Sequence, residues 1–229
     1  KGLGFDRIAR LSNRRLRSVG RYGRMQEVQF VNGRSSDARQ AAGPVTAGAP
    51  LRVAFTHISR RRWAGGYNYQ GNLFAALARF RPGEFAPILF AGKQDDADEL
   101  AGPAGIEGVE VVQSAAFDGQ AGLVQALTLG VDRAAAAAFR AHRVDAVFES
   151  ARFFGWRLPR PAVAWIPDLQ HLALPHMFTT AGRWRREIGF RVQIASGRTI
   201  MLSSESALRD FRAHYPRAQN PVSVVRFAT

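Results

Sequence analysis

Three polar residues follow an apolar segment of this sequence at close spacing. Asp168, Gln170 and His171 come directly after the apolar residues Ala162–Ile166. A carboxylate and an imidazole in this position can perform general acid and base chemistry, or can hydrogen-bond sugar hydroxyl groups. A histidine beside an apolar segment is also often a hydrogen-bonded structural residue, and that interpretation stays open. Because three polar side chains cluster here, the sequence favours a functional site.

A glycine pair provides a second candidate site. Gly65 and Gly66 precede an apolar-periodic stretch, Tyr67–Phe80, that predicts a helix. Glycines ahead of a helix let backbone amides approach an anion, and Asn68 or Gln70 can bind a sugar hydroxyl or a diphosphate oxygen. The spacing matches neither a dinucleotide fingerprint nor a P-loop. The alternative is a mobile loop whose glycines only accommodate the turn.

A third candidate site lies where the predicted strand Thr199–Leu202 is followed by a helix. Ser204 is suited to cap that helix, and Glu205 lies favourably in its first turn. Capping alone explains both residues, although they also follow a strand, where ligands commonly bind. The sequence has no Gly-x-Ser-x-Gly motif, and its five histidines show no metal-ligand spacing, so we expect no metal cofactor.

Short apolar strands alternate with helices around these candidates, which predicts a doubly wound, mostly parallel, Rossmann-like α/β sheet flanked by helices over residues 51–229. The predicted strands are Leu51–Thr56, Ala86–Ala91, Val109–Val112, Val144–Phe148, Ala162–Ile166, Thr199–Leu202 and Val222–Phe227. The other predicted helices are Gly122–Arg143, Arg183–Gly197 and a segment from Ser204 through Tyr215. Asp95, Asp96, Asp98 and Glu99 are expected in an acidic loop.

The composition bounds the possible classes of protein. With 229 residues, 46% of them hydrophobic, and no cysteine, the chain is neither wholly disordered nor a disulfide scaffold. Its net charge is +14, and residues 1–50 carry half of it, with ten basic and three acidic residues. We expect residues 1–50 to form a basic, mostly disordered arm. The arm either attracts phosphate or lipid headgroups or is an unselected leader.

The predicted helix Arg183–Gly197 suggests a different class of function. It interleaves Trp184 and Phe190 with arginines, a mixture compatible with an anionic membrane surface. Its apolar positions suit packing against the sheet equally well, and packing is the favoured interpretation. A basic protein that binds nucleic acid or an anionic membrane is therefore the alternative function.

Residues 165–178 resemble bacterial family-4 (group 1) glycosyltransferases. Their strand followed by Pro-Asp-Leu-Gln-His and a later proline is similar to a segment of that family. Residues 200–216, with Ser-Ser-Glu-Ser, look like the last strand–helix–strand of the family's first domain. Gly65 and Gly66 correspond to its glycine-rich loop. The resemblance covers about residues 51–229.

The resemblance implies one half of a GT-B fold. In that fold a first Rossmann-like domain holds the acceptor and a second binds most of the nucleotide-sugar. It also implies transfer of a hexose, commonly mannose, glucose or galactose, with retention and without a required metal. The nucleotide-sugar is then a substrate and no cofactor is expected; the acceptor is a glycan, a lipid or another molecule. The implied location is the cytoplasm, with peripheral contact to the inner face of an anionic membrane, and nucleic acid is not an expected partner.

Two departures from the family pattern affect the assignment of residues. Pro167 stands where many members have histidine, so the predicted catalytic residues become Asp168 and His171. Glu99 and Glu107 have Glu-x7-Glu spacing but lie early in the first domain, and the family's donor-site stretch is not found after that domain. We therefore expect an acceptor-side half that is inactive alone. The predicted substrate-binding residues are Gly65, Gly66, Asn68, Gln70, Gln170, Ser204 and Glu205.

Overall fold

The computed structural model describes residues 48–119, 121–150 and 152–226. They form a seven-stranded sheet in the order β3-β2-β1-β4-β5-β6-β7, and every neighbouring pair is parallel. The strands are β1 (Leu51–Thr56), β2 (Phe85–Ala91), β3 (Glu110–Gln113), β4 (Ala146–Glu149), β5 (Ala162–Ile166), β6 (Thr199–Leu202) and β7 (Val222–Val224). The predicted bounds of β1, β5 and β6 are confirmed. The predicted arm lies outside the described residues, except for residues 48–50, which contain no helix or strand.

Helices connect most of the strands. They are α1 (Ala64–Phe80), α2 (Ala97–Ala104), α3 (Ala121–Thr128), α4 (Arg133–Ala141), α5 (Gln170–Ala173), α6 (Thr180–Ala195) and α7 (Glu205–His214). Two short 3-10 turns cover Ala115–Phe117 and Pro175–Met177. The predicted last strand ends at Val224, and Phe227 lies outside the described residues.

Apolar side chains cover both faces of the sheet. On one face Phe74 of α1 meets Phe55 of β1 edge to face, with ring centroids 4.9 Å apart. On the other, Phe139 of α4 meets Phe90 of β2 at 5.1 Å. Strands buried on both faces are typical of parallel sheets, so this is the predicted Rossmann-like α/β fold.

The strand order reverses between β1 and β4. In open α/β sheets a crevice forms beyond the carboxyl ends of the strands at such a point. The segment that follows β1 leads into α1. The segments that follow β5, β6 and β7 begin at the same edge of the sheet, because the strands are parallel. The candidate segments of the sequence therefore meet at one edge.

The prediction of a single helix over Gly122–Arg143 is wrong, because the helix is interrupted between α3 and α4. Gly130 adopts φ +81°, a left-handed conformation that ends a helix and that glycine tolerates best. Asp132 then caps α4, its Oδ1 accepting a hydrogen bond from Ala135 N at 3.0 Å. Both signals were present in the sequence, but the alanine-rich apolar pattern on either side concealed them.

The expected acidic loop is confirmed for Asp95 and Asp96 and wrong for Asp98 and Glu99, which lie in helix α2. Asp96 caps this helix, with Oδ1 accepting from Asp98 N at 3.0 Å. Asp98 and Glu99 lie in the first turn, where the helix dipole favours negative charge.

Two other helices begin earlier than predicted. α6 begins at Thr180, because Thr179 caps it by accepting from Gly182 N. α1 begins at Ala64, so Gly65 and Gly66 lie inside its first turn and not in a loop ahead of it.

Candidate functional site

A cleft of about 700 Å³ opens between α1 and the carboxyl ends of β5, β6 and β7. All three candidate segments of the sequence contribute to it. The predicted site residues that line the cleft are Gly65, Asn68, Asp168, Gln170 and Ser204. Gly66, Gln70, His171 and Glu205 are not among the lining residues.

Aromatic rings form one wall of the cleft. The indole of Trp165 stacks on Tyr69 with centroids 4.1 Å apart and on Trp63 at 5.3 Å. Trp165 Nε1 donates a hydrogen bond to Ser203 Oγ at 3.1 Å, which holds the ring against the end of β6. Burial raises the pKa of the Tyr69 phenol, so the ring is neutral at physiological pH. Flat aromatic surfaces of this kind suit the apolar faces of a ligand.

Gly66 is required by the position of the Trp63 ring. A Cβ placed on Gly66 would collide with three ring atoms of Trp63, while at Gly65 the nearest atom would be 3.4 Å away. Gly66 therefore lets the indole lie across the first turn of α1, and its contribution to the cleft is indirect. Gly65 is exposed on the cleft side.

The first turn of α1 presents backbone amides that no side chain caps. Its cap position is Trp63, which makes no side-chain capping hydrogen bond, and the turn contains no acidic residue. Gly65 lines the cleft in this turn. The helix dipole favours an anionic group at this uncapped end.

Asp168 lies at the rim of the cleft beyond β5. Its Oδ1 accepts a hydrogen bond from Gln170 N at 3.1 Å and lies 4.0 Å from a terminal nitrogen of Arg186. The side chain is partly exposed. Both contacts orient the carboxylate, and its exposed surface leaves it able to accept a hydrogen bond from a ligand.

Ser204 and Glu205 both have structural roles at the start of α7. Ser204 Oγ accepts from Ala207 N at 3.1 Å, so the predicted cap is confirmed, and the residue also lines the cleft. Glu205 lies in the first turn, as predicted, and is exposed. It pairs with Arg226 at 3.4 Å, and Arg226 itself lines the cleft.

The side chain of Gln70 points toward the sheet. It is 4% exposed, and its Nε2 donates to the backbone oxygen of Thr56 at 2.9 Å. This hydrogen bond ties α1 to the end of β1. The predicted binding residue therefore lies behind the cleft wall.

His171 lies beneath the cleft and is fully buried. Its Nε2 lies 3.3 Å from Glu187 Oε2 on α6, which also accepts a hydrogen bond from the Tyr215 hydroxyl at 2.8 Å. Burial lowers the pKa of His171, although Glu187 opposes this shift. Burial alone would raise the pKa of Glu187, but hydrogen bonds from Arg191, Tyr215 and His171 lower it overall. The imidazole thus joins α5 to α6 and does not reach the cleft surface.

Several lining residues were not among the sequence predictions. The aromatic and polar ones are Trp63, Tyr69, Asn72, Trp165, Ser203, Ser206, Asp210 and Arg226. Asn72 follows Asn68 by four residues, which places both amides on one face of α1. That spacing is a signal that sequence reasoning could have used.

A second cluster of titratable residues lies at the ends of β1 and β2. The imidazole of His57 is buried between two carboxylates, with Nδ1 3.1 Å from Asp95 and Nε2 3.5 Å from Glu99. The carboxylates face the ring nitrogens directly. Within the described ranges, no group of three or more His, Asp or Glu residues is arranged to hold a metal ion.

Comparisons with known proteins do not identify a family for this chain. No protein-family model matches the chain, and no curated protein matches it. In the part of the chain that the structure describes, no helix has the length and apolar character needed to cross a membrane.

Proposed function

We propose that this chain is the acceptor-side domain of a retaining hexosyltransferase, and that its cleft binds the sugar acceptor. One observation carries the proposal. The segments that resemble family-4 glycosyltransferases, around Gly65, Asp168 and Ser204, lie far apart in sequence and line one cleft. A shared cleft is the expected outcome if each segment serves the same ligand.

The chemistry of the cleft supports a carbohydrate ligand. Trp63 and Tyr69 provide aromatic surface, while Asn68, Asn72 and Gln170 provide amide groups for hydroxyls. A mostly apolar pocket with a few placed polar groups is the usual form of a small-molecule site. Carboxylates at Asp168 and Asp210 add strong acceptors for hydroxyl protons.

In the proposed reaction an acceptor hydroxyl oxygen forms a bond to the anomeric carbon, and the bond from that carbon to the diphosphate breaks. Asp168 accepts a hydrogen bond from the hydroxyl and orients it. The proton leaves with the departing diphosphate. The uncapped first turn of α1 offers amides to that developing negative charge. His171 has no exposed surface, so we assign it the positioning of α5.

The remaining parts of the proposal come from the resemblance. A second Rossmann-like domain would hold the nucleotide-sugar, no metal would be required, and the reaction would occur in the cytoplasm. Nucleic acid is not a proposed partner.

The test is acceptor binding by the full chain. Saturation-transfer NMR with the methyl α-glycosides of mannose, glucose and galactose should detect at least one ligand, and Asn72→Ala should weaken its signal. Asn220→Ala is the matched control, because Asn220 lies away from the cleft and bonds backbone oxygens near α6. No signal from any glycoside, or equal signals in Asn72→Ala and the wild type, would overturn the proposal.

A further inference from the structure

The outer face of α6 carries large apolar side chains that are exposed. Trp184 is 63% exposed and Ile188 is 49% exposed. The expectation that the apolar positions of this helix pack on the sheet is therefore wrong for these two residues, although Phe190 and Ile194 do pack there. We define the outer face of α6 by its exposed residues from Ala181 onward, which are Ala181, Trp184, Arg185, Ile188, Arg191 and Ala195.

The exposed apolar surface continues into the segment before α6. Met177 is 67% exposed and Leu174 is 39% exposed. Isolated apolar residues on a surface are common, but four large ones within fifteen residues mark a contact surface.

Charge identifies the kind of partner. Residues 174–195 contain four arginines and one acidic residue, Glu187, which gives a net charge of +3. Glu187 contacts His171 and Tyr215 and is also paired with Arg191. The exposed residues of the outer face of α6 therefore include two arginines, Arg185 and the paired Arg191, and no carboxylate. Arginine beside tryptophan and isoleucine on one helix face matches an anionic bilayer, where headgroups attract the cations and the interface accepts the apolar side chains.

A second apolar patch carries less of this charge. Val124, Leu127, Leu129 and Trp156 are also exposed, and residues 121–132 contain no basic residue, but the exposed Arg157 follows Trp156. The α3 side of this patch offers little attraction to anionic lipid, so the patch provides a control for exposed apolar surface.

We propose that the outer face of α6, together with Leu174 and Met177, docks on an anionic membrane surface. The contact lies beside the cleft, since Ala173 lines the cleft and Arg186 of α6 lies 4.0 Å from Asp168. Docking therefore holds the cleft next to the bilayer. Together with the proposed function, on which this step rests, that position indicates an acceptor carried by a lipid.

The test is cosedimentation of the full chain with vesicles of phosphatidylcholine, alone or with about a quarter phosphatidylglycerol. Binding should require phosphatidylglycerol and weaken with salt. Arg185→Glu should weaken it about five-fold or more, and Trp184→Ser with Ile188→Ser about ten-fold or more. The controls Arg140→Glu and Val124→Ser with Trp156→Ser should bind as the wild type does. Every variant keeps residues 1–50, so attraction by that basic segment is constant.

A fluorescence measurement gives a second readout that does not depend on a disruptive substitution. Vesicles with phosphatidylglycerol should shift tryptophan emission to the blue in the wild type and in Trp156→Phe, but far less in Trp184→Phe. Equal emission shifts in Trp156→Phe and Trp184→Phe would overturn the docking proposal. Equal loss of binding in the two double serine variants would also overturn it, as would equal binding to the two vesicle types. So would preferential binding to a DNA fragment that Arg185→Glu abolishes.

Each of the two proposals can be contradicted without the other. Vesicles that carry no sugar test docking alone, and soluble methyl glycosides test the cleft alone. Glycoside binding without vesicle binding overturns docking, whereas vesicle binding without glycoside binding overturns the proposed function and the lipid-borne acceptor.

Discussion

Tyr69 of α1 and Trp165 of β5 stack with their ring centroids 4.1 Å apart and their planes 17° from parallel. The contact joins the first helix to a strand on the far side of the topological switch. Trp63 extends the stack on Trp165, and Gly66 makes room for Trp63. One wall of the cleft thus depends on a glycine that does not line it.

Replacing Gly66 by alanine should disrupt this wall. The added methyl group would collide with the Trp63 ring, and the forced shift should cost about 1–3 kcal/mol of unfolding free energy and weaken glycoside binding. Gly71→Ala in the same helix is the control, since no atom lies within 4 Å of its added Cβ. That variant should gain about 0.5–1 kcal/mol. Urea unfolding measures both, and equal effects of the two substitutions would contradict this account of Gly66.

Asp168→Asn should reduce binding of the glycoside that the cleft accepts by about ten-fold or more, because a charged acceptor is lost while the shape of the side chain is kept. Stability should change little, since the amide oxygen can still accept from Gln170 N. Titration followed by saturation-transfer NMR measures the effect. Glu84→Gln removes an exposed carboxylate that pairs with Arg81, away from the cleft, and should leave binding unchanged. Binding that persists at full strength in Asp168→Asn would remove this residue from the site.

Local signals made much of the fold predictable from the sequence. β5 is a short apolar run between Pro161 and Pro167, and β6 is a short run between Arg198 and Ser203. Ser204 is a residue type that commonly caps helices, so each of these features could be assigned from the local sequence. Alternation of strands and helices then indicated a parallel sheet, whose carboxyl edge collects the segments around Gly65, Asp168 and Ser204.

The direction in which individual side chains point was not predictable in this way. Gln170 and His171 are adjacent in sequence, yet one is exposed at the cleft and the other is fully buried. The buried His171 contacts Glu187, which also accepts a hydrogen bond from Tyr215, and this arrangement depends on how α6 and α7 pack. The exposure of Trp184 likewise depends on how α6 is rotated, because its apolar pattern allowed more than one inward face.

The burial of His171 predicts a pH dependence of stability. Its pKa in the folded protein is lower than the ordinary value of 6.5, mainly because of burial. Below pH 6.5 the unfolded chain therefore binds a proton that the folded protein does not, so the free energy of unfolding should fall as the pH drops through this range. Above pH 6.5 both states are neutral at this residue, and its contribution should be constant.

Urea unfolding of His171→Asn between about pH 5 and 8 tests this dependence. The variant should be less stable at pH 8 by about 1–3 kcal/mol, because a buried hydrogen bond to Glu187 is weakened. Its loss of stability on acidification should be smaller than that of the wild type. His176→Asn, which replaces an exposed histidine, should keep the wild-type profile. An unchanged profile in His171→Asn would show that another group causes the dependence.

The buried pair Glu149–Arg198 predicts the largest loss of stability. Glu149 at the end of β4 is fully buried, and Arg198 is 6% exposed; Nε donates to Oε2 at 3.0 Å and a terminal nitrogen donates to Oε1 at 3.1 Å. Burial raises the pKa of Glu149, while Arg198 opposes the shift. Removing the arginine leaves a buried carboxyl group without its charged partner. Arg198→Met should therefore cost about 3–5 kcal/mol of unfolding free energy.

A double-mutant cycle separates the pair from the packing around it. Glu149→Gln with Arg198→Met removes both charges, so it should recover part of the stability that Arg198→Met loses. Arg140→Met, an exposed arginine on α4, should change stability by less than about 0.5 kcal/mol. Urea unfolding of the four proteins in the cycle gives the coupling energy. If the double variant were as unstable as the sum of the two single variants, the pair would act through packing alone, and the charge interaction assigned to it here would be wrong.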